Sequence, residues 1–248
     1  RLRTHGVMMG MIVIGEITET AKAVLHKAPS YGEIDFVSKV SSNRPPKWSE
    51  GHRGCTSDRG NNKIAVYDYG VKNNILHMLR KRGCDTVTVP AGASAADVLA
   101  LGPNGVVLSP GPGDPELLDY AVESTKLLLG HIPILGICLG NQVLARAFGG
   151  SNFKLKFGHR GGNHPVRDVE TGRVYITAQN HGYAVDPKSL PADIEISHVS
   201  LNDGTVEGLR HRSLPAMGIQ YHSEASPGPL DSEYIFDRFL AMVEDSSL

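Results

Sequence analysis

Between Lys63 and Gly150 the chain alternates short apolar runs with stretches of helical period, and this rhythm restricts the fold more than any other feature. Residues 64–67, 86–89, 106–108 and 132–137 are brief and largely apolar, as strands covered on both faces must be. Residues 73–82, 95–101, 120–129 and 139–148 follow them in turn. In the first of these, Ile75, Leu76, Met78 and Leu79 recur at helical spacing before a stop at Gly83, and the last ends at Gly149-Gly150. Repeated strand–helix units bury their faces best as a parallel sheet with helices on both sides. The fold class read from the sequence is therefore α/β: a doubly wound, mostly parallel sheet flanked by helices. After Gly150 the pattern changes to short strands, at 173–178, 194–198 and 215–219, and a last helix at 231–243.

Residues 41–62 read as a linker, opened by Ser41-Ser42-Asn43-Arg44-Pro45-Pro46 and continued by glycine and polar residues that break regular structure. Residues 1–40 hold too little apolar surface to fold alone. The run 7–14 is the longest strongly apolar stretch, far too short for a bilayer, and reads as a buried strand of an upstream domain. With Arg1 and Arg3 before it and Ala21-Lys22-Ala23 after it, it has the outline of a secretion signal, but Glu16 and Glu19 interrupt that pattern. The absence of an initiator Met implies that Arg1 is not a natural start.

Composition narrows the function classes. A net charge of −1 without any basic block argues against nucleic acid or a membrane surface as partner. The three cysteines, Cys55, Cys84 and Cys138, have neither disulfide spacing nor a Cys-x-x-Cys pair, which fits a reducing cytoplasm. The 11 histidines include His159, His164, His181 and His222 near glycine-rich segments, and a metal site built from these four is an alternative reading; no pair has the helical His-x-x-x-His spacing, so no metal site or cofactor is expected in this chain.

Three segments fall at or near the carboxyl ends of strands, where such folds gather their chemistry. Gly136-Ile137-Cys138-Leu139-Gly140-Asn141-Gln142 joins an apolar strand to a helix. A cysteine at that sharp turn is presented at the sheet's edge, and the helix N-terminus favours its thiolate. Most lone cysteines are small buried hydrophobes, as Cys84 is read here, but the flanking glycines and the strand-to-helix turn set Cys138 apart. Gln220-Tyr221-His222-Ser223-Glu224 follows another strand. In an extended segment His222 and Glu224 point to one side, so the carboxylate can fix the imidazole tautomer of a Cys–His pair. Ser109-Pro110-Gly111-Pro112-Gly113-Asp114-Pro115 is a rigid turn in which Gly111 can bring its N–H close to a ligand. With the N–H of Leu139 it makes two donors for a developing oxyanion. It lacks the Gly-Lys-Ser/Thr ending of a phosphate loop.

Together these segments resemble the class I glutamine amidotransferases, which use a Cys-His-Glu triad. The resemblance covers residues 63 to about 243 and extends to one branch, the small subunits of carbamoyl phosphate synthetases. That branch is marked by Lys156-Phe157-Gly158-His159-Arg160-Gly161-Gly162-Asn163-His164-Pro165, Thr177-Ala178-Gln179-Asn180-His181-Gly182-Tyr183 and Glu224-Ala225-Ser226-Pro227-Gly228-Pro229. The resemblance implies Cys138 as nucleophile, His222 as acid and base, Glu224 as its orienter, and Gly111 and Leu139 as oxyanion donors. It implies that Gly111, Gly113, Leu139, Gln142, Asn180, Gly182 and Tyr183 hold L-glutamine. It also implies a partner, the large synthetase subunit, which uses ATP and bicarbonate to make carbamoyl phosphate for pyrimidine or arginine synthesis. On the same ground residues 63–248 form the amidotransferase domain, and 1–40 are the end of an N-terminal domain. The missing part of that domain would contribute a serine near the glutamine and part of the contact with the large subunit. Two positions depart from the family pattern: Ser223 replaces a usual Pro, and Asn141 replaces a frequent His. Two other readings compete. One is the glutaminase component of another synthase, such as anthranilate synthase, against which the Gly-Gly-Asn-His-Pro and Gln-Asn-His-Gly segments speak. The other is a non-catalytic regulatory scaffold, against which the intact Cys138, His222 and Glu224 speak.

Overall fold

The computed structural model describes residues 2–44, 46–51 and 62–246. A short helix α1 (Leu2–His5), helix α2 (Glu19–Lys27) and a turn of helix α3 (Val37–Val40) precede the main body. There β1 (Lys63–Asp68), α4 (Asn73–Lys81), β2 (Asp85–Pro90), α5 (Ala95–Ala100), β3 (Gly105–Leu108), α6 (Asp119–Leu128), β4 (Ile134–Ile137) and α7 (Leu139–Ala147) alternate as the apolar rhythm requires. β5 (Asn152–Asp168), β6 (Val174–Val185), β7 (Ile194–Ser200), β8 (Val206–His211), β9 (Ala216–Ile219) and α8 (Tyr234–Asp245) complete the chain.

One sheet runs in the order β2-β1-β3-β4-β9-β8-β7-β5-β6. The strands β2, β1, β3, β4 and β9 are parallel, and β8, β7, β5 and β6 continue from β9 as an antiparallel wing. Alternate residues of the parallel strands face opposite sides. Ala65, Tyr67, Val106 and Leu108 pack with Val98 of α5, Val122 of α6 and Val143 of α7. Ile64, Val66, Val107 and Leu135 pack on the other side with Ile75 of α4 and with Phe236, Phe239 and Leu240 of α8. Phe236 and Phe239 are fully buried; burying each such side chain contributes about 1.5–3 kcal/mol.

Three expectations change. The run 7–14 is not a buried strand: it has no regular structure, and Ile12 and Ile14 are 97% and 100% exposed. A strand needs a partner ladder, and no strand among the described residues pairs with this run. The stretch after Gly150 is not made only of short strands, because β5 and β6 form a long hairpin through the glycine-rich segment. Register shifts between Lys154 and His159 and between Gly161 and His164 absorb the glycines as bulges. The described part of the 41–62 segment is docked rather than free. Ser49 bridges Thr86 at the β2 edge, the Gly51 N–H donates to Asp85 Oδ1 (2.9 Å), and the Ser42 N–H donates to Asp68 Oδ2 (2.9 Å). Packing is continuous across residue 40, since Val37 is fully buried in the α5–α7 core. Cys84 is buried in the α4–α8 core, and Cys55 lies outside the described residues. Among the described residues no helix is long and apolar enough to cross a membrane.

The junction of β4 and α7 depends on bare backbone. A Cβ on Gly140 would lie 2.0 Å from the Leu108 carbonyl oxygen. In an open helix Gly→Ala stabilises by roughly 1 kcal/mol. Here Gly140→Ala should destabilise by about 1–3 kcal/mol. Urea unfolding checks this: the midpoint should fall with the slope unchanged, and a rise would mean that α7 does not touch β3 this closely.

Candidate active site

Cys138 sits between β4 and α7 with φ 54° and ψ −106°, in the left-handed half of backbone space that a side chain rarely occupies. Its N–H donates to the Ile219 carbonyl of β9 (2.8 Å), so the strained residue is held by the neighbouring strand. The Asn141 and Gln142 N–H groups donate to the Cys138 carbonyl (3.1 and 3.2 Å), and the first N–H groups of a helix have no partner within its own turns. Leu139 is the first residue of α7.

The loop after β3 closes over the same point. A Cβ on Gly111 would lie 2.2 Å from the Tyr69 carbonyl oxygen and 2.8 Å from Leu139 Cδ2, so only glycine fits, and the two expected oxyanion donors are neighbours. Ser109 fixes the loop's start, its Oγ accepting from the Tyr69 N–H (3.0 Å) and donating to the Pro110 carbonyl (2.9 Å). The Gly113 N–H donates to the Tyr31 hydroxyl (2.8 Å), which ties the loop to the segment before α3.

His222 and Glu224 meet, though not along an extended strand. The chain leaves β9 and turns through residues 221–224, and His222 Nδ1 lies 2.7 Å from Glu224 Oε1. The turn is anchored by the His222 N–H donating to the Ala178 carbonyl of β6 (2.9 Å) and by Lys72 and Asn74 donating to the Ala225 and Glu224 carbonyls. Lys72 Nζ also lies 3.0 Å from Glu224 Oε1. Glu224 is fully buried, and an isolated carboxylate there would be very costly. Burial works against its charge, but His222, by hydrogen bond and by charge, and then Lys72 hold it below its ordinary value. Burial also opposes the charged form of His222. Cys138, by charge and by hydrogen bond, and then Glu224 outweigh this and lift the imidazole to about 10.

A cavity of about 430 Å³ collects Cys138, His222, Gly111, Gly113, Leu139, Gln142, Asn180, Gly182 and Tyr183, with Glu224 behind His222. Every residue expected at the site is thus in one place. Gln142 lines it with its amide nitrogen already committed, donating to the Tyr183 carbonyl (3.0 Å) and to Gln220 Oε1 (3.1 Å). The Tyr183 hydroxyl donates to Asp114 Oδ2 (2.7 Å), which joins β6 to the proline-glycine loop. Burial, then this carboxylate, raises the phenol above its ordinary value. Ser223 and Asn141, the two departures, are fully buried, and the Ser223 hydroxyl and both Asn141 amide atoms have no hydrogen-bond partner among the described residues.

The cavity also takes side chains that were not foreseen at the site, among them the polar Tyr31, Lys72, Lys154 and Arg160. Lys72 had a signal, since it follows β1 at the carboxyl edge where this fold places its chemistry. The others reach the cavity only through tertiary packing.

Residues 65–242 match the family described as Glutamine amidotransferase class-I. The chain is 44% identical over 262 residues to a carbamoyl phosphate synthase small chain from Polynucleobacter asymbioticus, an alignment covering 98% of this chain and 66% of that protein. It is 47% identical over 250 residues to the small chain from Syntrophotalea carbinolica, again covering 98% of this chain and 66% of the relative. The chain thus spans just under two thirds of the length of these relatives. A solved structure from Thermoplasma acidophilum, provisionally assigned to a GMP synthase, superposes with a TM-score of 0.65 at 26% identity, over 75% of this chain and 96% of the other.

The electrostatics set opposite pH limits. His222, raised, contributes stability that is complete below the ordinary imidazole value of about 6.5 and is lost as the pH climbs towards 10. Glu224, lowered, contributes stability that is present above the ordinary carboxylate value and is lost as the pH falls through its depressed folded value. In an NMR titration the His222 ring should stay charged through neutrality. In Cys138→Ala its midpoint should drop by more than about one unit, because the sulfur outranks Glu224 among the influences that raise it. An unmoved midpoint would assign the shift to Glu224 alone.

Proposed function

We propose, from the premise that the chain belongs to the class-I glutamine amidotransferase family, that its Cys138 site hydrolyses the side-chain amide of L-glutamine and supplies the ammonia to a large synthetase subunit. The observation that carries this reading is the junction at Cys138. A cysteine on a strained strand-to-helix turn shares one cavity with His222, which is paired with Glu224 at 2.7 Å, and with the Gly111 loop.

The Cys138 thiolate attacks the amide carbon, and the carbonyl electrons move onto oxygen. The Gly111 and Leu139 N–H groups receive that charge, each donor being worth about a hundred- to a thousand-fold in rate. The oxyanion collapses, the C–N bond breaks, and the His222 imidazolium passes its proton to the departing ammonia. A glutamyl thioester remains. Water then adds to it with His222 as base, the C–S bond breaks, and glutamate leaves with the cysteine restored. Glu224 keeps His222 in the required tautomer, with Lys72 balancing its charge. Gly113, Gln142, Asn180, Gly182 and Tyr183 line the end of the cavity that receives the amino acid's zwitterion, where neutral amides and backbone groups suit both charges.

The small-chain relatives support carbamoyl phosphate synthesis as the use of the ammonia. On this reading the partner is a carbamoyl phosphate synthetase large subunit that takes ATP and bicarbonate, and this chain itself needs no cofactor. A cytoplasmic setting suits an unprotected thiolate.

Glutamate release from glutamine, measured with and without such a large subunit, tests the proposal. Activity should rise with the partner and vanish in Cys138→Ser, a loss of about a million-fold by analogy with removal of a nucleophile from a catalytic triad. Undiminished hydrolysis by Cys138→Ser would sink the mechanism, and activity indifferent to the partner would sink the partnership.

A further inference from the structure

At the cavity wall, which His181 itself lines, three ligating side chains from three strands converge. His159 of β5 and His181 of β6 are direct cross-strand neighbours, and Glu207 of β8 is fully buried beneath them. His159 Nδ1 lies 3.3 Å from Glu207 Oε1, His181 Nε2 lies 3.9 Å from the same oxygen, and all three ligand atoms fall within 4.8 Å of one another. Metal–ligand bonds of about 2.0–2.2 Å in a tetrahedron put neighbouring ligand atoms roughly 3.3–3.6 Å apart. The two histidine–glutamate separations are near that range.

The outward-facing atom of each side chain is also held. His159 Nε2 is 2.8 Å from Asp203 Oδ2, His181 Nδ1 is 2.7 Å from the Tyr183 carbonyl oxygen, and Glu207 Oε2 accepts from Gln179 Nε2 at 2.8 Å. A ligating histidine characteristically donates its other N–H to a carboxylate or a backbone carbonyl, as both do here. The hydrogen bonding leaves one conflict. A carbonyl only accepts, so His181 carries its proton on Nδ1 and, as a neutral ring, presents a lone pair at Nε2. That lone pair faces Gln179 Oε1 at 2.8 Å, and Gln179 is turned so that its nitrogen serves Glu207 and Thr177. Two acceptors therefore confront each other next to a buried carboxylate. A cation beside them would resolve this, with Gln179 Oε1 as a fourth oxygen donor.

We propose that His159, His181 and Glu207 form a binding site for a single divalent transition cation of the zinc type, separate from Cys138. Two imidazoles and one carboxylate suit zinc or cobalt better than calcium or magnesium, which prefer all-oxygen shells. Sequence spacing conceals the site, because its ligands come from three strands of the antiparallel wing. An ion here would displace the proton shared between His159 and Glu207. It would also brace β6 at His181, which lines the cavity together with Asn180 and Gly182. The site stands whether or not glutamine is the substrate.

The test uses the full chain carrying Cys138→Ser, which removes the thiolate as a competing ligand, titrated with Co(II) alone. One equivalent should bind with the visible absorption of a four-coordinate nitrogen and oxygen site, and Zn(II) should displace it. His159→Ala and Glu207→Gln should each weaken binding by at least about a hundred-fold. Asp203→Asn, whose side chain is 41% exposed and whose change spares the core, should weaken it about 10- to 100-fold. Should either ligand variant fail to fold, Asp203→Asn carries the test. No uptake by a chain that melts cooperatively would overturn the proposal. So would affinity unchanged in Asp203→Asn and in whichever ligand variants fold, or affinity lost instead in His164→Ala, which would place the ion elsewhere.

Discussion

The backbone of Cys138 is the constraint on which the rest of the site depends. A non-glycine residue at φ 54° and ψ −106° costs about 1–3 kcal/mol and persists only when its surroundings over-determine it. Here they do so from three directions. β9 accepts the Cys138 N–H through the Ile219 carbonyl. A Cβ on Gly136 would lie 2.5 Å from the Gly140 carbonyl oxygen, so β4 and α7 touch without a side chain between them. Gly140 in turn rests on the Leu108 carbonyl of β3. The glycines two positions on either side of the cysteine are therefore packing requirements as much as turn residues. They let three backbone segments close on one point and aim the sulfur and the start of α7 into the same cavity.

Charge is organised by the same economy of space. Glu224 is buried, and an ion pair at that depth repays its desolvation only when its geometry is good and its remaining lone pairs are served. Glu224 Oε1 is shared by His222 and Lys72, while Oε2 has no hydrogen-bond partner among the described residues. The carboxylate is thus committed to one face, towards the imidazole, which is the arrangement that orients a base. Lys72 follows β1, and His222 and Glu224 follow β9. The carboxyl edge of the parallel strands supplies the whole charged chain, and the antiparallel wing supplies Asn180, Gly182 and Tyr183 to the opposite wall.

The parallel half was the legible part of the fold. Its strands are buried on both faces and so are written as apolar runs, and its helices end within a residue or two of the positions set by Gly83 and Gly149-Gly150. The antiparallel wing was less legible, because β5 carries three glycines and most of its residues are exposed or half-buried, so no two-residue alternation survives. The run 7–14 misled because apolar composition measures a capacity for burial and not the presence of a surface to bury against. At the site, Cys138 and the Gly111 loop could be read from local turn chemistry. Lys72 could not be paired with Glu224, since that contact joins segments 152 positions apart by the closing of the sheet and leaves no pattern along the chain.

Ser223 shows how much of the site's rigidity is tertiary. A proline between His222 and Glu224 would stiffen the segment by fixing one φ angle and removing one donor. The turn observed here is held by other groups: the His222 N–H on the Ala178 carbonyl, Lys72 on the Ala225 carbonyl and Asn74 on the Glu224 carbonyl. None of these bonds uses the Ser223 N–H. The segment is clamped from β6 on one side and from the start of α4 on the other, so the His222–Glu224 distance is set by where those two elements lie. A residue that removes backbone freedom locally and a set of hydrogen bonds that removes it from outside reach the same geometry. The second route leaves position 223 free to be a small buried polar residue, and it makes the orientation of the imidazole depend on Lys72 and Asn74 as well as on Glu224.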